Sequence, residues 1–323
     1  MNNIVHLSNT PLVGSPGKIS ILANENGFNS NSIVLSDYPD KGGLSGKFIQ
    51  NSIIYNENNH KLCAVADELL KKADIIHIHN DINPNFLRKF NLGDKKIIYQ
   101  VHSPLREGPL YFDRSQFMGI DYDKKLVIAQ YQTRHYQSFT PVPNLVLSKP
   151  SVELRKYNEP LKIMFSPTHR RGGRWNNKYS EKLISVLNGL SSLNLIEVFR
   201  IDTPLSPNDL FELRKTCHAS IDEIVTGSYH QVSLEGLCAG NVVINNSDFF
   251  SSYMLSSVSH AKCMPPFYTV SDDDVAEKLL LLAQDVELTR KYQQMSYDYY
   301  VENLLPNKLF SSYKMVYEEL LNV

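Results

Sequence analysis

The sequence predicts an α/β protein made of two parallel-sheet domains that face a cleft. Short apolar runs suited to buried strands alternate with segments of helical period through both halves of the chain. Small-residue loops follow several of these runs, at the carboxyl ends where open parallel sheets hold ligands. The chain has 323 residues, 42% of them apolar, which is enough to build two cores of ordinary size. The boundaries read from the pattern are residues 1–155 for the first domain, 156–305 for the second, and a closing helix over 306–323.

In the first half, Ile4, Val5, His6 and Leu7 form a first strand. A loop from Ser8 to Gly17 follows, containing Gly14, and a helix runs over 18–26. This loop matches neither common phosphate-loop pattern, so it reads either as a ligand-holding turn or as a plain connection. A second strand covers 32–35, a helix covers 62–72, and a strand over 73–79 carries His77 and His79. Alternate strand positions share a face, so these two histidines point the same way. Without a third ligand in view, packing is the preferred reading over metal binding. A strand starting at Lys96 ends at His102, Ser103 and Pro104, which places His102 on the ligand side of its sheet. Asp121 and Asp123 have the DxD spacing of some metal-dependent sugar transferases, but Asp-Tyr-Asp-Lys-Lys reads better as a polar turn before the strand over 126–129. Pro141 to Asn144 and the polar segment up to Pro160 suggest the inter-domain linker.

The second half starts with a strand over 161–165. It leads into the densest positive cluster of the chain, with Thr168, His169, Arg170, Arg171, Arg174 and Lys178 between that strand and a helix over 179–190. Arginine forks and a lysine point charge suit a diphosphate. A solvated basic loop and a nucleic-acid backbone contact are the alternatives. A strand over 195–201 and a helix opened by Ser206 and Pro207 come next. The stretch SIDEIVTGSYHQVSLEGLCAGNVVINNS, residues 220–247, combines a turn at Gly227, a short helix whose only charge is Glu235, a stop at Gly240 and a buried strand over 242–244. A helix start of that kind offers free N–H groups to phosphate, and a carboxylate a turn further in suits a sugar hydroxyl. The bland reading leaves Glu235 as a solvated helix residue. Asp272, Asp273 and Asp274 read as cap and first-turn charges of the next helix.

The balance of 33 basic and 34 acidic residues, a formal charge of -1, favours neither a nucleic-acid coat nor an acidic tail. The four cysteines lack the paired spacing of a zinc site or disulfide framework. No apolar run reaches the ~18–20 residues of a membrane span, and the N-terminus lacks signal-peptide character. A cytoplasmic protein is expected, with peripheral attachment to the inner membrane compatible with that.

Four segments carry a family resemblance: HLSNTPLVGSPG, IIYQVHSP, IMFSPTHRRGGRWNNK and IDEIVTGSYHQVSLEGLCAGNVVI. They resemble the two-domain glycosyltransferases of the GT-B fold, two Rossmann-like domains, and in particular the nucleotide-sugar-dependent family 4 and its bacterial relatives. The resemblance implies that Glu235 binds the donor ribose, that Arg170 or Arg171 with Lys178 holds the diphosphate, and that His102 lies near the reacting sugar. It adds Gly14, Thr168, Gly227, Ser228, Tyr229 and His230 to the donor site. It implies no metal and no cofactor beyond the nucleotide-sugar donor, and retention of the anomeric configuration. The acceptor it implies first is a bacterial surface glycan. A modified DNA base, as in some phage enzymes, and a non-catalytic nucleotide-sugar-binding protein are the alternatives. One departure stands out: the family's first glutamate falls on Gly227, so its role passes to Tyr229, His230 or Glu223 or is unfilled.

Overall fold

The computed structural model describes residues 2–36, 51–80, 82–102, 119–165, 180–201 and 205–322. Two compact units result: Met1–Leu145 with Pro306–Val323, and Val146–Leu305. Residues 146–155, placed with the first domain on the sequence, belong to the second unit. The reason is a buried guanidinium: Arg155 donates to the carbonyls of Leu282, Ala283 and Glu159, and its own N–H donates to Gln293 Oε1. Cutting the chain at 155 would strand that charge.

The first unit is a seven-stranded sheet of β1 (Asn3–Ser8), β2 (Asn29–Val34), β3 (Ile53–Ile54), β4 (Ile75–His79), β5 (Lys96–Val101), β6 (Lys124–Ile128) and β7 (Thr140–Val142). Their order is β3-β2-β1-β4-β5-β6-β7 and every pairing is parallel. The chain therefore builds outward from β1 in one direction and then from β4 in the other, which makes the β1/β4 boundary a topological switch point. Its helices are α1 (Ser15–Glu25), α2 (His60–Lys72), the single turn α3 (Pro84–Leu87) and α10 (Pro306–Leu321), the last element of the chain. One face of the sheet is hydrocarbon: Val5, Leu7, Ile76, Ile78, Tyr99 and Val127 pack with Ala66 and Leu70 of α2. The alternate positions give the other face, where His6, His77, His79 and Gln100 are all fully buried. Helix α10 lies on that polar face. The Tyr317 hydroxyl is 3.0 Å from His77 Nδ1, Gln100 Nε2 donates to Tyr313 Oη, and Lys124 Nζ meets both carboxylate oxygens of Glu319.

The second unit holds a five-stranded parallel sheet of β8 (Leu161–Phe165), β9 (Ile196–Arg200), β10 (Ala219–Ile221), β11 (Val242–Asn245) and β12 (Tyr268–Thr269), in the order β12-β11-β10-β8-β9. The switch point here lies between β8 and β10. The helices are α4 (Glu181–Ser192), α5 (Pro207–Lys215), α6 (Gln231–Cys238), α7 (Phe249–Val258), α8 (Val275–Gln284) and α9 (Val286–Asn303). The core runs from Leu161, Ile163 and Phe165 through Leu183 and Leu187 of α4 to Leu279 and Leu282 of α8. Helix α5 begins as its sequence predicts, with Ser206 Oγ accepting from Asp209 N and Pro207 in the first turn. Two boundaries and one helix differ from the sequence reading. Helix α1 starts at Ser15, because Gly14 at φ +76 caps it. Pro141 lies in β7 rather than in a linker; β7 is an edge strand, where the missing N–H is tolerated. Helix α7 lacked a clear apolar stripe, having Phe249 and Tyr253 exposed at 77% and 51%. No helix among the described residues is long and apolar enough to cross a membrane.

Candidate functional site

The switch point of the second sheet is where its sequence signals converge. Strand β8 ends at Phe165, whose Cα partner on β10 is Ile221. The chain thus enters the basic stretch 166–179 beside the place where β10 gives way to Asp222. Thr168, Arg170, Arg171 and Lys178, four of the residues expected to hold donor, lie outside the described residues.

The loop after β10 is built by two buried carboxylates. Glu223 accepts from the N–H groups of Val225 and Thr226, each at 2.7 Å, and from the Thr226 hydroxyl, so it shapes the turn. With those donors on its oxygens, Glu223 is poorly placed to take over the sugar contact of the family's first glutamate. Asp222 Oδ2 accepts from His230 N at 2.6 Å and from Ser233 Oγ at 2.7 Å, tying the loop to the start of α6. His230 Nδ1 lies 3.2 Å from Asp222 Oδ1, within ion-pair range but off the hydrogen-bond line. Asn245 at the end of β11 donates to Ser233 Oγ and accepts from Ser247 N. These residues fix the entry to α6, whose N-cap, His230, makes no side-chain cap of its own. Asp222, Ser233 and Asn245 were not singled out on the sequence; only their spacing across strand ends joins them.

Gly227 sits at φ +75 in this loop, and its carbonyl accepts from Asp248 N and Ser251 Oγ of the α7 start. A Cβ there would meet Asp248 Oδ2 at 3.5 Å, an ordinary contact, so backbone angle rather than space favours glycine. Ser228 and Tyr229 are 2% exposed. The Tyr229 ring packs against Phe267 at 5.7 Å between centroids, and burial pushes its phenol well above the usual tyrosine range. Tyr229 thereby contributes to the support of the loop.

Glu235, one turn into α6, pairs with a group the sequence did not point to. Arg214 near the end of α5 is 1% exposed; its Nη2 meets Glu235 Oε2 at 3.0 Å and its Nη1 meets Ser220 Oγ at 2.9 Å. Glu235 keeps 16% of its side chain exposed. The buried network continues from Ser220 Oγ to Asn241 Oδ1, and Asn241 Nδ2 donates to Cys217 O. Gly240, the stop after α6, is at φ +62, and a Cβ on it would come within 2.7 Å of Val152 Cβ and 2.8 Å of Ser151 O.

In the first unit, the carboxyl end of β1 turns through Leu12, Val13 and Gly14, three consecutive residues at positive φ. Left-handed angles at Leu12 and Val13 cost energy that a plain connection has no reason to store. His102, just past β5, takes its place there through its backbone N–H, which donates to Asn80 Oδ1 at 2.7 Å. Its Nε2 is 2.8 Å from His79 Nδ1, and burial pushes the imidazole down to about 3, so it is neutral near pH 7. Asp123 of the DxD pair accepts from Ile97 N and Lys96 Nζ at the opposite end of the strands, which accounts for it as a structural tie. Asp274 likewise is held by Ser271 and Lys278.

No protein-family model matches the sequence, and no curated protein sequence is similar to it. Solved structures do share its architecture along the whole chain. An α-glucosyltransferase in complex with UDP-glucose and DNA containing an abasic site superposes with a TM-score of 0.61 at 10% identity, covering 98% of each chain. Anabaena HepE in complex with UDP gives 0.59 at 11% identity, covering 99% of this chain and 100% of that one. WaaG, a glycosyltransferase involved in lipopolysaccharide biosynthesis, gives 0.55 at 14% identity, covering 97% and 99%. The fold is that of the GT-B glycosyltransferases: two Rossmann-like α/β domains. At these identities the likeness is one of architecture.

Proposed function

We propose that this protein is a glycosyltransferase that moves a sugar from a nucleoside diphosphate sugar to an acceptor hydroxyl. The observation that carries the reading is the β8/β10 switch point. There a turn through Gly227, a helix start at His230 and a carboxylate at Glu235 stand beside the strand end from which the arginine-rich stretch departs. In the proposed roles, Glu235 Oε1 accepts a ribose hydroxyl while Arg214 holds Oε2. Arg170 or Arg171 and Lys178 receive the diphosphate and stabilise the negative charge that grows on it as the glycosidic bond breaks. His102, neutral and with Nε2 taken by His79, offers Nδ1 to a sugar hydroxyl as a hydrogen-bond partner and carries no charge into the reaction.

The proposed transfer needs no metal at the diphosphate, because the cationic side chains supply the countercharge. We assign it a retaining outcome. With glycine at position 227 and Glu223 engaged by the turn, a carboxylate nucleophile is lacking among the described residues of this loop, so the acceptor would attack on the face the diphosphate leaves. A bacterial surface glycan is the favoured acceptor, since the near-neutral formal charge of -1 gives little electrostatic pull towards DNA.

A panel of nucleoside diphosphates tested by thermal shift checks the donor site, since a ligand present at 100 times its Kd stabilises by about 2.7 kcal/mol. One base should stand out, and the matching nucleotide sugar should be slowly hydrolysed without acceptor. Lys178→Ala should lower turnover about tenfold or more, in line with the loss of a charge partner in the transition state. Binding without any turnover would leave an inert sugar-nucleotide receptor, and salt-sensitive retention of duplex DNA would move the acceptor to a nucleobase. A complete lack of response to every diphosphate refutes the proposal.

A further inference from the structure

The polar face of the first sheet contains a group that the transfer reaction does not use. His6 on β1 is the Cα register partner of His77 on β4, and His79 follows two residues later on the same face. The third ligand that the sequence of β4 alone could not supply therefore comes from the neighbouring strand. One ring nitrogen from each of the three lies within 4.8 Å of the others, and all three residues are 0% exposed.

We propose that His6, His77 and His79 form a structural binding site for a divalent transition-metal ion of the zinc class. The hydrogen bonds around the cluster orient the two β4 rings as metal ligands are oriented. His77 Nδ1 is held by the Tyr317 hydroxyl at 3.0 Å, and His79 Nδ1 by His102 Nε2 at 2.8 Å. In each case an outer partner takes Nδ1 and leaves Nε2 to serve as the ligand atom, the arrangement that fixes tautomer and ring angle in histidine metal sites. His77 Nε2 is buried with no hydrogen-bond partner, a cost that a bound cation removes. His6 Nδ1 stands 3.0 Å from His79 Nε2, a contact the ion would replace.

Three imidazoles with no thiolate or carboxylate among them suit zinc, cobalt or nickel better than magnesium or calcium. Ligand bonds of about 2.0–2.1 Å place tetrahedral nitrogen donors about 3.3 Å apart, so the rings need only tilt inward from their present spread. An ion here would fasten β1 to β4 and, through Tyr317, α10 to both. It acts on the stability of the first unit and makes no contact with the transferred sugar.

The test uses the full chain produced in zinc-supplemented medium, desalted over a chelating resin and analysed for metal by mass spectrometry. One zinc per chain is expected, and Co2+ in its place should give visible d–d bands of tetrahedral intensity. His77→Gln should lose both signals. If that variant fails to fold, Tyr317→Phe removes only the outer hydrogen bond and should weaken Co2+ binding about 10–100-fold while the fold persists. Three results overturn the proposal: no zinc in the wild-type chain even after refolding with Zn2+, zinc retained undiminished by folded His77→Gln, or identical Co2+ affinity in Tyr317→Phe.

Discussion

Replacing Glu235 with alanine should damage the fold as well as the donor site, and the two effects can be separated. Arg214 is 1% exposed and Glu235 is its only carboxylate partner among the described residues, at 3.0 Å. Removing one member of a buried pair leaves the other charge uncompensated, which costs about 3–5 kcal/mol. Glu235 retains some solvent contact, so the lower end, about 3 kcal/mol, is expected. For a unit of this size that lowers the melting temperature by about 6–12 °C. Urea unfolding followed by far-UV circular dichroism measures the loss. The double change Arg214→Met with Glu235→Leu removes both charges and should recover most of it, whereas donor affinity should stay low. Glu235→Gln keeps an acceptor for Arg214 but not the countercharge, and should give weak donor binding with a stability between those of the wild type and Glu235→Ala. If Glu235→Ala unfolds at the wild-type urea concentration, or the double variant is no more stable than the single one, the buried pair is not what holds α5 to α6.

Three further outcomes follow from the second unit. His218 is buried with Nδ1 accepting from Lys162 N at 2.9 Å and Nε2 3.1 Å from Glu159, and burial pushes it down to about 4 although Glu159 acts the other way. The unfolded chain takes up a proton near the ordinary value of about 6.5 and the folded chain does not until about 4, so stability is complete above neutrality and falls as pH drops through that window. A loss of about 2 kcal/mol by pH 5 is expected from this group, and His218→Asn should flatten the wild-type slope by about one proton in urea titrations at stepped pH. Gly240→Ala should cost about 2–4 kcal/mol, because its Cβ would press on the Ser151 carbonyl at 2.8 Å in a left-handed backbone, and Gly227→Ala only about 1 kcal/mol, because it meets the angle penalty without the clash. Equal melting temperatures for the two alanine variants would contradict that contrast. Asp222→Ala removes the acceptor for His230 N and Ser233 Oγ, and should weaken donor affinity more than it lowers the urea midpoint; the reverse ranking would make Asp222 a scaffold residue only.

Much of the fold could be read from one dimension because parallel strands are apolar on both faces and their helices carry local start signals. Ser206 with Pro207, the apolar run at Leu161–Phe165 and the break before Pro306 are all of this kind. Most of the elements that were missed have too few residues to show a period, since β3 and β12 are two residues each and α3 is a single turn, while the ten-residue α7 lacks an apolar stripe. The site was partly legible for the same reason. Gly227 and Glu235 lie in a local loop-helix pattern. Arg214 lies 21 residues before Glu235 and meets it only because α5 and α6 flank the same strand, a relation that sequence spacing does not carry.

The histidines show where such reading stops and why. On β4 alone, His77 and His79 are an alternation that packing explains as well as ligation does. Register then sets His6 opposite His77, and the order β1-β4-β5 brings His102 within 2.8 Å of His79. A sheet face meant only for packing would be satisfied by the valines and isoleucines that fill the opposite face, at lower desolvation cost. Three imidazoles joined nitrogen to nitrogen with a fourth stacked on them, and buried nitrogens of His6 and His77 left unpaired, are costly to hold in the core unless something repays them. His102 links this face to the carboxyl end of β5, so the ion proposed for the cluster would also set, through His79, which nitrogen of His102 carries its proton. That coupling gives the buried face a consequence at the proposed sugar site without any contact between the ion and the sugar.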